Sequence, residues 1–143
     1  MSTSSSENAL AGVRVEPLNV LRDPRGWFLK VLMAKHLPAG GREFGEIYIS
    51  TSESGVARGN HFHKKMTEWF TPISGRGELV VCLPEGTERR TIVLDSAAPV
   101  RIQVPPNVAH AFRSIVTEPL LLLAYSDMEY DPADTDTYPF TIF

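Results

Sequence analysis

The chain has little of several features that assign proteins to familiar classes. It contains one cysteine, Cys82, so no disulfide can form within it. Its longest apolar run, Leu120 to Tyr125, is far shorter than the ~20 residues that a membrane-spanning helix needs. Fourteen basic against 17 acidic residues give a net charge of −3, which leaves no broad basic surface for phosphate backbones. These shortages argue against a disulfide-stapled fold and predict that the chain binds neither membranes nor nucleic acids.

The start of the chain is polar and lacks the cationic beginning and apolar stretch of a signal peptide. We expect residues 1–12 to form a disordered tail and residues 13–143 to form a single domain, because a chain of 143 residues can build one core. The single cysteine favours a cytoplasmic location. Cys82 itself lies in Leu-Val-Val-Cys-Leu and is expected to be a buried strand residue.

Turn signals are plentiful, with 10 glycines and 11 prolines, and they separate short segments of β-branched and aromatic residues. No segment keeps a sustained helical period, although a helical turn is expected at Met33 to Leu37. This pattern predicts an all-β protein, either a double-sheet sandwich or a barrel. The predicted strands are Val13 to Val20, Trp27 to Met33, Phe44 to Ser50, Val56 to Phe62, Met66 to Ile73, Glu78 to Leu83, Arg90 to Leu94, Val100 to Val104, Ala109 to Ile115 and Leu120 to Ser126.

Most of the side chains that carry chemistry fall in two segments. The run from Gly55 to Gly75 contains His61, His63 and Glu68, and His110 follows in Val-Pro-Pro-Asn-Val-Ala-His-Ala-Phe. Neutral imidazoles and a carboxylate are the ligands of borderline divalent metals such as Zn, Ni, Fe or Cu. The same groups can instead transfer protons. The sequence therefore predicts one polar pocket that contains all four residues.

Side-chain direction constrains how these residues meet. His61 and His63 are two residues apart, so in a strand they project from the same face. Glu68 has the opposite parity to His63, so a turn must separate them, and we place it at Lys64-Lys65. The segment after the turn returns as a strand that carries Glu68 back, and His110 comes from a third strand.

The spacing resembles the first motif of the cupin family, G-x5-H-x-H-x4-E-x6-G, at every defined position from Gly55 to Gly75. The second cupin motif is partly kept, with its proline and histidine present as Pro105 and His110. Its two glycines and its asparagine are replaced, by Pro99, Asn107 and Ser114. The resemblance implies a small cupin jelly-roll barrel with one metal inside.

Two flanking segments resemble the nucleotide-sugar epimerases. Asp23-Pro-Arg-Gly-Trp-Phe28 is similar to the Asp-x-Arg-Gly-Phe-Phe segment of dTDP-4-dehydrorhamnose epimerase, and Arg58-Gly-Asn-His61 is similar to its Arg-Gly-Leu-His segment. That epimerase has Gln at the position of His63 and works without metal. The segment that ends in His-Ala-Phe112 resembles its Pro-x-Gly-x-Ala-His-Gly-Phe segment.

This resemblance implies a role for several individual residues. Arg25, Arg58 and His110 would contact the substrate, and His61 would accept a proton. Tyr125 is the nearest candidate for the catalytic tyrosine of the epimerase.

A closer resemblance is to the cupin domain of the bifunctional capsular-polysaccharide sugar reductase/epimerase, in which an Arg-Gly-Asn-His-x-His run carries a metal. Residues 130–138 also resemble the closing segment of that domain. The resemblance implies a divalent metal, zinc first with nickel or iron as alternatives, on His61, His63, Glu68 and His110. This chain has no reductase segment, so a reductase of the same pathway is expected on a separate protein.

These resemblances imply an epimerase or ketoisomerase that acts on a nucleoside-diphosphate 4-keto-6-deoxy sugar, by proton abstraction next to the ketone, in polysaccharide or deoxysugar biosynthesis. Two alternatives stay open: a metal-dependent oxygenase and a non-catalytic sugar-binding module. His61 cannot be both ligand and base, because a metal-bound imidazole has no free lone pair. With metal bound, the base would be Tyr125, Tyr48 or a metal-bound water. Without metal, His61 would be the base and Tyr125 the acid.

Partners follow from local charge and from exposed sheet edges. Arg25, Arg58, Lys64 and Lys65 offer a local cluster of cations to an anionic ligand despite the negative net charge, and Lys64 is a candidate for phosphate contact. Sheet edges need to be covered, and small cupins pair through edges or exchanged N-terminal strands. We therefore expect a homodimer in which Val13 to Val20 covers an edge.

Overall fold

Strands dominate the fold. The computed structural model describes Leu10, residues 12–41 and residues 43–143. Its strands are β1 (Arg14–Pro17), β2 (Leu21–Asp23), β3 (Gly26–Phe28), β4 (Glu46–Ser52), β5 (Arg58–Phe62), β6 (Glu68–Ser74), β7 (Arg76–Cys82), β8 (Arg89–Asp95), β9 (Val100–Val104), β10 (Ala109–Ser114), β11 (Leu120–Ser126) and β12 (Tyr138–Pro139). Two short 3-10 helices, Ala34–His36 and Pro38–Gly41, lie between β3 and β4. Among the described residues, no helix has both the length and the apolar character to cross a bilayer.

Ten of the strands form two five-stranded sheets, and β2 and β3 pair as a separate hairpin. The first sheet has the strand order β1-β9-β6-β11-β4, and the second has the order β12-β5-β10-β7-β8. The strand pairings within both sheets are antiparallel. Two packed antiparallel sheets of this kind form a jelly-roll sandwich, which confirms the all-β prediction.

Inward-facing side chains of both sheets form the main core. Phe70, Leu79, Leu94, Ile102 and Leu122 are each at most 2 % exposed. Other core residues stand two positions away from most of them on the same strands, because successive side chains of a strand point to opposite faces. Burying each such side chain stabilises the fold by about 1.5–3 kcal/mol, so the two sheets are held together chiefly by this layer.

A second apolar cluster lies on the outer face of the second sheet. Cys82 and Ala111 are buried there, and Ile142 near the end of the chain covers them together with Phe140 and Phe143. Cys82 is a buried strand residue, as its sequence context indicated. The final residues of the chain are therefore packed against the sheet that carries β5 and β10.

Most predicted strands are present within two residues of their predicted ends, and Val100–Val104 and Leu120–Ser126 have the predicted bounds. The strand predicted at Val13 to Val20 is wrong beyond Pro17, where the chain leaves the sheet. The strand predicted at Trp27 to Met33 is also too long, because only Gly26–Phe28 pairs, in a hairpin with β2. The short strands β2 and β12 were not predicted, since two or three residues show no alternation.

Leu10 corrects the predicted N-terminal tail. It is 6 % exposed and belongs to the main core, and its carbonyl accepts a hydrogen bond from the N–H of Val13 at 2.9 Å. The prediction of a disordered tail through residue 12 is therefore wrong at Leu10, whose apolar side chain gains by burial. Residues 1–9 and 11 of the predicted tail lie outside the described residues.

Candidate functional site

His61, His63, Glu68 and His110 converge inside the sandwich. One possible ligand atom from each lies within 4.8 Å of those of the other three. His63, Glu68 and His110 are buried, and His61 is half-buried at the edge of the group. We call these four residues the His/Glu cluster.

The two facing sheets both contribute to the His/Glu cluster. His61 on β5 and His110 on β10 are direct partners across the ladder, with ring centroids 4.9 Å apart. His63 follows the end of β5, and its ring centroid is 4.8 Å from that of His61. Glu68 is the first residue of β6 and belongs to the opposite sheet. The bend predicted at Lys64-Lys65 is present, and it carries the chain across to the other sheet.

A β-bulge positions His61. The ladder pairs His110 with His61 and Ala111 with Gly59, so Asn60 is an extra residue on β5. Gly59 and Asn60 have φ angles of 94° and 55°, a region that glycine adopts freely and asparagine tolerates. A Cβ at Gly59 would lie 2.7 Å from the carbonyl oxygen of His110. The Gly-Asn pair is thus the local cause of the close approach of β5 to β10.

The same bulge turns Arg58 toward the side of the sheet that carries the cluster. Residues three apart in a regular strand point to opposite faces, but the extra residue restores Arg58 to the side of His61. The ladder accordingly pairs Arg58 with Phe112, which packs in the core. Arg58 is exposed, and its Nε donates to the carbonyl of Thr51 at 2.5 Å.

Hydrogen bonds on the far sides of two rings aim their other nitrogens at Glu68. Nδ1 of His63 lies 2.7 Å from the carbonyl oxygen of Asp136, and Nδ1 of His110 lies 3.2 Å from that of Val108. Since a carbonyl can only accept, both Nδ1 atoms carry the proton, and both Nε2 atoms present a lone pair when the rings are neutral. These Nε2 atoms lie 2.7 Å and 3.3 Å from Oε1 of Glu68.

Two buried atoms of the cluster lack a hydrogen bond. When His63 is neutral, its Nε2 and Oε1 of Glu68 face each other at 2.7 Å with no hydrogen between them, and neither has a hydrogen-bond partner among the described residues. A buried polar atom without a partner costs about 1–3 kcal/mol. A cation between the electron-rich atoms would remove this cost, as protons on the imidazoles or as a metal ion. Metal-binding histidines usually donate their other ring N–H to a carbonyl or carboxylate, which is the arrangement seen here.

Electrostatics distinguish His61 from His63. Burial lowers the pKa of His61 to about 4, and the nearby His110 and His63 rings act in the same direction. Burial opposes charge on Glu68 as well, but His110 and His63 outweigh it and lower the pKa of the carboxyl. Burial likewise opposes charge on His63, yet the adjacent carboxylate raises its pKa. The cluster therefore keeps Glu68 ionised and His61 neutral, and both are forms that bind metal.

Tyr48 forms a hydrogen bond with the second carboxylate oxygen of Glu68. Its hydroxyl, on β4 of the same sheet as Glu68, donates a short hydrogen bond to Oε2. Burial, together with the charge of Glu68, raises the pKa of Tyr48, so the hydroxyl stays protonated. Oε1 is left to face the imidazoles.

Tyr125 lies on the other face of its sheet. It pairs with Trp69, the neighbour of Glu68 in β6, and adjacent residues of a strand point to opposite faces. Its hydroxyl accepts a hydrogen bond from the N–H of Gly45 at 3.0 Å, and its ring packs on Trp69. Tyr125, the candidate for the catalytic tyrosine, therefore lies on the face of the sheet away from the cluster, and Tyr48 is the tyrosine that contacts Glu68.

The other predicted substrate contacts lie outside the cluster. Arg25 sits in the turn between β2 and β3, where its guanidinium pairs with Asp23 at 2.6 Å and is 90 % exposed. Lys64 is exposed, and its Nζ lies 4.2 Å from the ring centroid of Tyr138. Contacts of Arg25 and Lys64 with a substrate stay predictions.

Asp136 and Asn60 are site residues that sequence reasoning missed. The carboxylate of Asp136 accepts hydrogen bonds from the backbone N–H groups of Lys64, Lys65 and Met66. Aspartate is typical of such turn contacts, but some 70 residues separate it from its partners. Asn60 stands in the Arg-Gly-Asn-His run, where its readiness for positive φ was the available signal.

Comparison with known proteins places the chain among polysaccharide biosynthesis proteins. The model of the polysaccharide biosynthesis C-terminal domain family matches residues 21–138. The spore coat polysaccharide biosynthesis protein SpsL of Bacillus subtilis is 26% identical over 135 residues, which cover 87% of this chain and 85% of SpsL.

Solved structures share the fold. A dTDP sugar isomerase from Desulfovibrio desulfuricans G20 has a TM-score of 0.77 at 19% identity, covering 91% of this chain and 84% of that one. The capsular polysaccharide assembling protein CapF from Staphylococcus aureus has a TM-score of 0.68 at 21% identity, covering 88% of this chain and 35% of that chain. This chain thus spans about a third of the CapF chain. These similarities confirm the predicted jelly-roll fold.

Proposed function

The chain belongs to the polysaccharide biosynthesis C-terminal domain family, and we propose that it is a metal-dependent epimerase or ketoisomerase of a nucleoside-diphosphate 4-keto-6-deoxy sugar. The names of two similar proteins, a dTDP sugar isomerase and a spore coat polysaccharide biosynthesis protein, support this substrate class. The reaction removes a proton from the carbon next to the ketone. Its return to the opposite face of that carbon gives an epimer, whereas protonation at the carbonyl carbon after enolisation gives a keto-isomer.

The observation that carries the proposal is the convergence of the His/Glu cluster, in which one possible ligand atom from each of the four residues lies within 4.8 Å of the other three. Three imidazoles and one carboxylate suit zinc, with nickel or iron as alternatives. His61, His63, Glu68 and His110 would hold the ion. When bound, such an ion polarises the substrate ketone as a Lewis acid and stabilises the enolate.

The chain itself fixes the orientation of these ligands. The carbonyls of Asp136 and Val108 hold the rings of His63 and His110 with Nε2 directed at the cluster. The ring of Phe70 packs 5.6 Å from that of His110, measured between centroids, and it keeps water from the buried side. A rigid, dry surround strengthens every electrostatic contact with the developing enolate.

The group that accepts the proton from the sugar depends on whether a metal is bound. With metal bound, His61 would spend its lone pair as a ligand, so the proton from the sugar carbon would pass to a water at the site, which a bound metal would make acidic enough to act as hydroxide. Tyr48 is a protonated hydroxyl on the cluster, and we assign to it the return of a proton to the substrate. If the protein works without metal, the neutral ring of His61 has the free lone pair that a base needs.

Arg58 is the best-placed cation for the diphosphate. The bulge at Asn60 sets it on the same side of β5 as His61, and its guanidinium is exposed. A guanidinium binds phosphate through paired hydrogen bonds. Lys64 and Arg25, both exposed, are further candidates.

The test is hydrogen exchange in heavy water with full-length protein and 4-keto-6-deoxy hexoses linked to UDP or dTDP. We expect deuterium at C3 of the sugar for an epimerase and at C4 for a ketoisomerase, detected by NMR. The variant His110→Ala should abolish exchange, because it removes one ligand from the cluster. The matched control is His36→Ala, whose ring accepts a hydrogen bond from Met33 in a different part of the chain.

Other outcomes would redirect the proposal. Elemental analysis of protein purified without added metal should show a bound divalent ion, and full exchange without one would give the role of base to His61. Oxygen consumption with a redox-active metal and no exchange would support the oxygenase. Sugar binding without exchange, and with affinity unaffected by a chelator, would support a binding module.

A further inference from the structure

We propose that Asp136 is a positioning residue for the metal site, and that through it the C-terminal segment, residues 136–143, sets the metal affinity of the His/Glu cluster. This inference rests on the metal ligands of the proposed function. It adds that a residue some 70 positions away from His63 and outside the motif determines how that histidine is presented.

Asp136 holds the turn that follows β5 from both its side chain and its backbone. Its carboxylate accepts three backbone N–H groups, from Lys64 at 2.9 Å and from Lys65 and Met66 at 3.0 Å. Its carbonyl oxygen lies 2.7 Å from Nδ1 of His63. The residue is 3 % exposed, so these contacts are made away from competing water. One residue thus fixes both the backbone after His63 and the orientation of its ring.

Backbone conformation makes this double contact possible. Asp136 has a φ angle of 48°, a left-handed conformation that aspartate tolerates better than most residues. No other position of the segment from Tyr130 to Tyr138 has positive φ among the described residues. The strained conformation turns the carbonyl toward His63 while the carboxylate reaches the three N–H groups of the turn.

The rest of the C-terminal segment holds the other side of the two histidines. Tyr138 pairs with Phe62 and Pro139 with His61, so β12 runs along the strand that carries the ligands. The carbonyl of Asn60 accepts the N–H of Phe140 at 2.8 Å. Its side-chain oxygen accepts the N–H groups of the last two residues, at 2.9 Å and 3.2 Å. Asp136 after His63 and Asn60 before His61 therefore form a clamp around the two ligands.

Variants that lack one side of the clamp should lose metal affinity while the chain still folds. Outer contacts of metal ligands typically contribute about 10–100-fold to metal affinity. Asp136→Asn keeps one acceptor oxygen and tolerates positive φ, so we expect about a tenfold loss. Asp136→Gly permits the same φ but loses the carboxylate that ties residue 136 to the turn, so its carbonyl is no longer held against His63 and we expect a loss nearer to 100-fold.

The matched control is Asp134→Asn in the same segment. Asp134 is exposed and makes an ion pair with Lys65 at 2.7 Å, so this variant removes a charge without touching the ring of His63. We expect its metal affinity to equal that of the wild type. Affinity is measured on the full chain by competition for Zn²⁺ with a chromophoric chelator.

A second readout works without metal. The 15N shifts of the His63 ring in the metal-free protein report which nitrogen carries the proton. We expect a proton on Nδ1 in the wild type and a mixture of tautomers in Asp136→Gly. If Asp136 variants do not fold, Asn60→Gly loosens the other side of the clamp, keeps the positive φ and should lower affinity in the same direction.

The two proposals can fail separately. A wild type that binds no divalent ion stoichiometrically would end the metal-dependent function, while the ring tautomer would still test the role of Asp136. Wild-type affinity and an unchanged His63 ring in folded Asp136→Gly would overturn the inference and leave the proposed function in place. Equal losses in Asp134→Asn and Asp136→Asn would also overturn it, since only charge would then matter.

Discussion

The backbone of Gly59 touches that of His110, so closely that a Cβ at Gly59 would lie 2.7 Å from the carbonyl oxygen of His110. Its φ angle of 94° adds a second reason for glycine at this position. Gly59→Ala should lower the free energy of unfolding by about 3 kcal/mol, from backbone strain and overpacking together. Urea unfolding of the full chain measures the change.

Gly55→Ala separates the two causes. Gly55 also has positive φ, at 71°, but nothing lies within 4 Å of its would-be Cβ. We expect this variant to lose only the conformational part, about 1 kcal/mol. Equal losses in the two variants would show that contact with His110 contributes nothing.

The His/Glu cluster could be predicted from sequence because His61 and His63 share strand parity and all four members fit the spacing of the motifs. His61 and His63 are two residues apart, and both project toward His110 as the period of a strand requires. The partner sheet of Glu68 could not be predicted, since a bend can return a strand to either sheet. The bulge at Asn60 was equally hidden, because one extra residue reverses parity without altering composition.

Tyrosine assignments show the same limit. Tyr125 is one residue out of register with the inward-facing positions of β11, and a shift of one residue moves a side chain to the other face. Nothing in the local sequence of Leu120–Ser126 distinguishes the two faces, because both are lined by apolar residues. Tyr48 and Glu68 are 20 residues apart on different strands, and only the tertiary fold brings them into contact.

Tyr48→Phe tests the proton donor. The variant keeps the ring and removes the hydroxyl that donates to Oε2 of Glu68. We expect the exchange rate of the sugar proton in heavy water to fall by about 10²-fold or more, the usual contribution of a positioned acid. Metal affinity should fall by about tenfold, because the carboxylate loses an outer contact.

Tyr125→Phe is the matched control on the opposite face of the sheet. It loses the hydroxyl that accepts from Gly45, so stability should fall by about 1 kcal/mol while the exchange rate stays unchanged. A larger loss of exchange in Tyr125→Phe than in Tyr48→Phe would reverse the assignment.

The pH dependence of stability should reveal the buried neutral ring of His61. Its pKa is about 4 in the folded chain against an ordinary value of 6.5, so the unfolded chain takes up a proton at higher pH. The contribution of His61 to stability is therefore full above pH 6.5 and is lost as the pH falls toward 4. His63 has a raised pKa and contributes in the opposite direction, so the loss due to His61 is measured, without metal, as the difference between the wild type and a variant that lacks this ring.

His61→Asn removes this group. The variant should lose part of the slope in that window, measured by urea unfolding with a chelator present. Glu68 does not blur the comparison, because the His110 and His63 rings lower its pKa and its proton uptake lies at more acidic pH. A slope equal to that of the wild type would mean that the ring is not held neutral by burial.

Arg58→Met should weaken substrate binding. If the guanidinium contacts the diphosphate, KM for the nucleotide sugar should rise by about 10–100-fold, since a hydrogen bond to a charged group contributes about 1.5–3 kcal/mol. The value of kcat should change less, because Arg58 lies outside the His/Glu cluster. Arg76→Met is the control, as this exposed arginine pairs with Asp95 and should leave KM unchanged. An unaltered KM in Arg58→Met would remove the phosphate role.

The homodimer expected from the sequence stays a prediction, and the surface of β4 makes it testable. Ile47 and Ile49 project from the outer face of this edge strand and are 59 % and 61 % exposed. An exposed apolar edge strand of this kind favours association with another chain. Sedimentation at micromolar concentration should show a dimer for the wild type and a monomer for Ile49→Glu, because a buried carboxylate disfavours association. The control is Val93→Glu on β8, the edge strand of the other sheet. Val93 is 60 % exposed, but β8 also carries the charged residues Arg89, Arg90 and Asp95. A monomeric wild type would rule the dimer out. A monomer produced by Val93→Glu instead of Ile49→Glu would place the interface at β8.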